Sequence, residues 1–383
     1  MAVARRGTLK LDNNGEKPMT GIEGLQRSLA MLCLGFSLAA GAAQPLPSLA
    51  EAYKPYFPVG AAVTPGQLMV GAGGDFVARQ YNVIVAENAM KPASLARAGE
   101  GMYDFGEADA LVDWAHARGI KVRGHALVWH QQTPHWMFEG ENGAEVTREV
   151  LIGRMQRYIH DVVGHFKGRV WAWDVVNEAF VTGEAPGDES GYRMSDWRRI
   201  IGPEYIALAF RFAHEADPDA LLIYNDYGTE DSKKREMIVT LVRELQAQGV
   251  KIDGVGHQSH YTVRDPQSFA GLEQTIVDVA RLGLTNQITE LDISLNADLM
   301  RDSIDEITPQ LLKRQAARYS EIFTMFLKHR DAISAVLMWG LNDEVSWLRS
   351  WPRRRLDGPL LFDETLKPKP AFKAVIEAAR NAK

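Results

Sequence analysis

Residues 170–178 read VWAWDVVNE, an apolar, β-prone run that closes on Asn177 and Glu178. A strand that only had to pack would end in apolar residues, because burying polar groups at a purely structural site is costly. Runs of similar character recur on both sides. Candidate strands fall at 58–63, 82–87, 121–127, 170–176, 220–224, 253–258, 287–292 and 335–340. Helical periodicity fills the gaps between them. Ala108, Leu111, Val112 and Ala115 form one apolar stripe, Tyr205, Leu208, Ala209 and Phe212 a second, and Ile238, Leu241, Val242 and Leu245 a third. Thr308-Pro309 opens a further helix, with proline where its missing N–H costs nothing, and Gly168 and Gly249 stand where helices would end. Eight strands alternating with helices predict one closed (β/α)8 barrel within residues 43–383. An open doubly wound sheet more often carries a glycine-rich phosphate loop after its first strand. Here Gly60 leads instead into Ala61-Ala62-Val63-Thr64-Pro65.

The polar strand ends gather at one end of this predicted barrel. Strand two runs into Glu87, Asn88 and Lys91, strand three into His125, Trp129 and His130, and strand five into Asn225, Asp226 and Tyr227. Strand six carries His257, Gln258 and His260, strand seven Glu290 and Asp292, and strand eight Trp339, Asn342 and Asp343. Any one of these could be a satisfied core hydrogen bond. Together they are hard to bury for structure alone, and active sites of this fold form at the C-terminal ends of the strands.

Glu178 and Glu290 lie on strands four and seven, which face each other across such a barrel mouth. Opposed carboxylates can hydrolyse a glycosidic bond, one attacking the anomeric carbon while the other, held protonated, protonates the leaving oxygen. The residues alone leave open which is which, and how far apart they stand. A metal held by His125, His260 and Glu290 is the competing geometry, but no zinc H-E-x-x-H, G-x-S-x-G or CxxC motif is present. No motif supports a nicotinamide or phosphate cofactor, so none is expected, nor is a metal. Trp129, Trp136, Trp339, Trp347 and Trp351 fall among the loops after strand ends, where indoles suit the flat faces of sugar rings. Trp114 and Trp171 read as core. The long segments 181–204 and 342–364 are expected to wall the cleft.

Composition bounds the remaining possibilities. The 383 residues are 46% hydrophobic and 24% charged, with a net charge of -6 spread over mixed signs, which disfavours nucleic acid and anionic membranes as partners. Arg27 precedes an apolar run at 29–43, with small residues at Ala40, Gly41 and Ala42. Residues 1–42 therefore read as an N-terminal extension and signal peptide cut after Ala42, with Met19 as a second possible start. The run is shorter than the roughly 20 residues of a membrane-spanning helix. Export to the periplasm or the medium, no stable membrane association after cleavage, and a monomer are expected. The only cysteine, Cys33, would leave with the signal.

The ordered motifs ENAMKP (87–92), GHALVWHQQTPHW (124–136), WDVVNEAF (173–180), YNDY (224–227), GHQSHY (256–261), ITELDI (288–293), WGLNDEVSW (339–347) and PLLFDETLKPKPAF (359–372) resemble glycoside hydrolase family 10, the xylanase family, over nearly all of 57–380. That resemblance implies a (β/α)8 fold and a retaining endo-1,4-β-xylanase working through a covalent glycosyl-enzyme on xylan and xylo-oligosaccharides. It implies Glu178 as acid/base and Glu290 as nucleophile, and Asn177 as the partner of the sugar 2-hydroxyl. Gln258 and His260 match contacts to the nucleophile and the -1 sugar. Lys91, His125, Trp129 and Gln132 match the -1 and -2 surroundings, Glu87 and Asn88 the -2 subsite, and Trp339 and Trp347 the xylose-sized pocket. Tyr227 joins the substrate-binding set through YNDY. The chain departs from the family pattern at Pro92, where tryptophan is common, at Gln131, where serine is usual, and in the arginine run 353–355. Those arginines fit either contacts to glucuronate branches or a solvated loop face. The alternatives are a barrel hydrolase acting on another β-glycan, and a non-catalytic carbohydrate-binding barrel.

Overall fold

The computed structural model describes residues 46–140, 142–182, 187–264, 266, 268–300 and 303–382, and the expected signal segment lies outside the described residues. Nine strands are present among them: β1 (Val59–Val63), β2 (Val83–Ala86), β3 (Lys121–Gly124), β4 (Ala172–Asn177), β5 (Leu221–Asp226), β6 (Gly254–His257), β7 (His260–Thr262), β8 (Thr285–Ser294) and β9 (Ile333–Met338). Every pairing is parallel. The order runs from β1 through β6, crosses to β8, and closes when β9 pairs with β1. This is the closed eight-stranded (β/α)8 barrel. The ninth strand, β7, is a short rider on the outer half of β8, with His260 opposite Asp292.

Alternation along the strands divides the barrel into two kinds of core. Outward residues such as Ile84, Val122 and Leu222 pack under the helices. Inward on β1, β2 and β9, the side chains of Ala62, Val83, Val85, Ala335 and Leu337 make a small apolar filling capped by Trp339. The opposite half of the lumen is polar. Arg123 makes a paired ion bridge to Asp174 and donates to Gln287 Oε1 at 2.6 Å, all fully buried. Breaking such a pair would leave an uncompensated buried charge, which typically costs about 3–5 kcal/mol. Gly124 is required by packing, since a Cβ there would stand 2.2 Å from the Trp173 ring.

The helices follow the predicted stripes, and Thr308 caps Pro309–Lys328 by accepting from Leu311 N. Two expectations change. The 253–258 run ends as a strand at His257, and Ser259, at φ +62, turns the chain so that His260 opens β7. Trp114 and Trp171 are not core. Both lie half-buried at the periphery, with Arg118 and Lys121 each 4.4 Å from the ring centre, while Trp173 and Trp197 are the fully buried indoles. Long cations cover an indole at the rim as well as apolar neighbours do, so sequence position alone did not separate the two cases.

Candidate active site

Beyond β4 the chain is pulled out of regular geometry. The β4–β5 register shifts between Asp174 and Val176, and Glu178 adopts φ +58. A non-glycine residue in that region costs of order 1–3 kcal/mol and persists only when its surroundings hold it. Here the Glu178 N–H donates to Asn225 O at 2.9 Å, its carbonyl accepts from Arg193 Nε at 3.0 Å, and the Ala179 N–H donates to the Tyr224 hydroxyl at 3.2 Å. The turn swings the Glu178 carboxylate into the mouth, where Oε1 accepts from Gln258 Nε2 at 2.9 Å and Asn177 Nδ2 at 3.2 Å. Burial pushes this carboxyl above its ordinary range, and the charges of Asp226 and Glu290 push the same way, against the Gln258 hydrogen bond.

Glu290 is set differently. It is 4% exposed within β8, and its Oε1 accepts from Asn225 Nδ2 at 2.8 Å while Oε2 lies 3.2 Å from His260 Nε2. The other ring nitrogen of His260 is 3.0 Å from Asp292 Oδ2, which also accepts from Trp347 Nε1 at 2.9 Å. Burial alone would raise the Glu290 carboxyl. The hydrogen bond from His260, the charges of His125 and His260, and the Asn225 amide outweigh it and bring the pKa down to about 2. Burial likewise opposes charge on His260, but Asp292 and Glu290 on either side carry its pKa up to about 10. The two glutamates are thus separated in acidity by their surroundings, one held ionised and the other toward the neutral form.

The two halves are joined by one amide. Asn225 Nδ2 donates to Asn177 Oδ1 at 2.9 Å as well as to Glu290, and its own Oδ1 accepts from Thr289 at 2.7 Å. Around them opens a cavity of about 840 Å³. The two glutamates and the twelve substrate-binding residues that the resemblance implies all line it: Glu87, Asn88, Lys91, His125, Trp129, Gln132, Asn177, Glu178, Tyr227, Gln258, His260, Glu290, Trp339 and Trp347. Lys91 bridges Asn88 (2.9 Å) and Gln132 (2.8 Å) and lies 5.2 Å from the Trp129 ring centre. Burial lowers its pKa, against the charges of Glu290, Glu87 and Glu178. His125 is fixed by Asp174 at 2.8 Å, so the buried lumen network ends at the cavity floor. Pro92 only starts the short helix Pro92–Leu95 beyond Lys91, and Gln131 lines the same cavity.

Some site features were not singled out from the sequence. Asn225 was visible only as one more polar strand end, and its bridging position depends on the barrel closing. Arg193 lies in the aperiodic 181–204 segment, where nothing marks it, yet it lines the cavity and donates to the Tyr227 hydroxyl at 2.9 Å. Trp136 does not line the cavity, since its indole N–H is spent on Ala96 O at 2.7 Å. Of the arginine run, Arg355 is buried and donates to the carbonyls of Leu348 and Leu299, whereas Arg354 is exposed. Among the described residues no group of three or more His, Cys, Asp or Glu is arranged to hold a metal ion.

Comparison with known proteins identifies the family. Residues 48–378 match the family model described as Glycosyl hydrolase family 10. The chain is 42% identical over 351 residues to the thermostable celloxylanase of Thermoclostridium stercorarium, covering 88% of this chain and 89% of that protein. It is 42% identical over 335 residues to endo-1,4-beta-xylanase B of Paenibacillus barcinonensis, covering 86% and 98%. The crystal structure of xylanase B from Clostridium stercorarium F9 superposes with a TM-score of 0.82 at 42% identity, covering 87% of this chain and 100% of that one. The chain belongs to glycosyl hydrolase family 10.

Proposed function

We propose that Glu290 is the nucleophile and Glu178 the acid/base of a double displacement. The chain is an endo-1,4-β-xylanase, hydrolysing internal bonds of xylan with retention of configuration. One observation carries the assignment of roles: two carboxyls facing one cavity, with Glu290 held at about 2 and Glu178 pushed above its ordinary range. In the first step the Glu290 carboxylate attacks the anomeric carbon as Glu178 passes its proton to the departing glycosidic oxygen. The ester so formed removes the negative charge of Glu290, and with it one of the influences raising Glu178. Glu178 is then the better base. It takes a proton from water, the resulting hydroxide displaces Glu290, and both groups return to their starting states. Asn177 donates to the 2-hydroxyl, a bond that strengthens as charge develops on the ring. Glu87, Asn88, Lys91, His125, Trp129, Gln132, Tyr227, Gln258, His260, Trp339 and Trp347 bind the sugars of the substrate chain.

Xylan and xylo-oligosaccharides are the substrates, and Trp339 and Trp347 supply a wall that excludes the hydroxymethyl group of glucose. Purified chain incubated with glucuronoxylan, xylohexaose and carboxymethylcellulose is expected to release xylobiose and xylotriose from the first two and almost nothing from the third. Preferential release from cellulose would point to the β-glucanase reading. In Glu178→Ala, turnover of a good aryl leaving group with added azide should yield a β-glycosyl azide. Failure of azide to intercept the reaction would remove Glu178 from the acid/base role. Residues 1–42 direct export, and the mature chain begins at Ala43 and acts as a monomer. N-terminal sequencing and light scattering of the exported protein check both, and a retained N-terminus or a dimer would contradict them. Among the described residues no helix is long and apolar enough to cross a membrane.

A further inference from the structure

The sugar contacts assigned above stop at Trp347, but the apolar surface does not. Trp351 stacks on Trp347 with ring centres 4.9 Å apart and planes 27° from parallel, and its backbone N–H donates to Trp347 O at 2.9 Å. Trp347 is itself fixed by its bond to Asp292 and packs 5.0 Å from the His260 ring. Trp351 is therefore one ring further from the nucleophile's partner, and it is 48% exposed within the same cavity. Met300, 55% exposed on the loop that follows β8, lines that cavity too. The two loops are tied together beneath these side chains. The buried Arg355 donates through Nε to Leu348 O at 2.9 Å and through Nη1 to Leu299 O, the carbonyl next to Met300.

An indole half in water, with its inner face already occupied by another indole, leaves an unpartnered apolar ring at the cleft mouth. Held on a cross-tied loop, it loses little conformational freedom when something stacks on it. Continuity with the cavity limits the occupant to a further ring of the chain being cleaved, and the flat face of a pentopyranose suits it. We infer that Trp351, with Met300 at its edge, forms an outer sugar subsite that longer xylan chains reach and short oligomers do not. This rests on the xylanase reading given above.

The test compares kcat/KM for xylotriose and xylohexaose in the unsubstituted enzyme, Trp351→Ala, Trp351→Phe and Met300→Ala, with matched thermal unfolding as the check on folding. Trp351→Ala should shrink the advantage of xylohexaose over xylotriose by roughly tenfold, as expected for a stacked aromatic anchor. Trp351→Phe should keep most of that advantage, and Met300→Ala should lose a smaller part of it. If the advantage survives in Trp351→Ala, whether both substrates slow together or neither does, the subsite does not exist. If the unsubstituted enzyme fails to cleave xylohexaose at all, the xylanase reading fails instead.

Discussion

Asn225 donates its side-chain amide to Glu290 Oε1 at 2.8 Å, from a strand that is not the nucleophile's neighbour in the barrel. The same nitrogen reaches Asn177 Oδ1, next in sequence to Glu178. One amide therefore spans both glutamates' surroundings.

Removing that amide should be felt in the chemical step. A hydrogen bond to a charged group contributes about 1.5–3 kcal/mol, so Asn225→Ala is expected to lower kcat/KM on xylohexaose by roughly ten- to a hundredfold. Asn225→Asp should be worse, because a second carboxylate beside Glu290 raises its pKa and moves the acid limb of kcat/KM upward. An Asn225→Asp enzyme with an unshifted acid limb would show that this contact does not tune the nucleophile.

The basic limb reports on Glu178. Activity requires its protonated form, so kcat/KM falls as pH rises through its raised pKa. Asp226 is the leading charge raising that pKa, and it pairs with the fully buried Lys234 at 2.9 Å. Asp226→Asn removes a negative charge and leaves a positive one, so the basic limb should move to lower pH. A limb that stays put or moves upward would contradict this.

Stability should carry the mark of His260. Its pKa is raised from 6.5 to about 10. It therefore stabilises the fold fully below 6.5 and loses that contribution as pH rises toward 10. Glu290 has the opposite sign, with its pKa lowered from 4.5 to about 2. Its contribution is complete above 4.5 and is lost as pH falls through 2. Thermal unfolding of His260→Asn should show a smaller alkaline loss of Tm than the unsubstituted protein. Identical alkaline slopes would mean that His260 is not held as the cation between Glu290 and Asp292.

Much of this was legible from the residues because barrel strands repeat. The apolar runs at 58–63, 82–87 and 287–292 could be read as strands, and closure then brings Glu178 and Glu290 to one mouth. What stayed hidden depends on tertiary geometry. The turn at Ser259 that separates Gln258 from His260 has no glycine to mark it, since Ser259 takes φ +62 itself. Arg193 sits in a segment without period, and its value lies in reaching both the Glu178 carbonyl and Tyr227. The run 353–355 fits either contacts to glucuronate branches or a solvated loop face, yet Arg355 is buried, its charge received by two backbone carbonyls and nearby Asp357. A one-dimensional charge pattern does not record which arginine of three turns inward.

The central claim is that Glu290 forms the covalent glycosyl-enzyme. Incubation with a 2-deoxy-2-fluoro xylobioside carrying a dinitrophenyl leaving group, followed by peptide mass spectrometry, tests it most directly. The account predicts one stable label, on the Glu290 carboxylate within ITELDI, absent from Glu290→Gln. A label on Glu178, or an uninhibited enzyme whose natural product is released with inverted configuration, would contradict it.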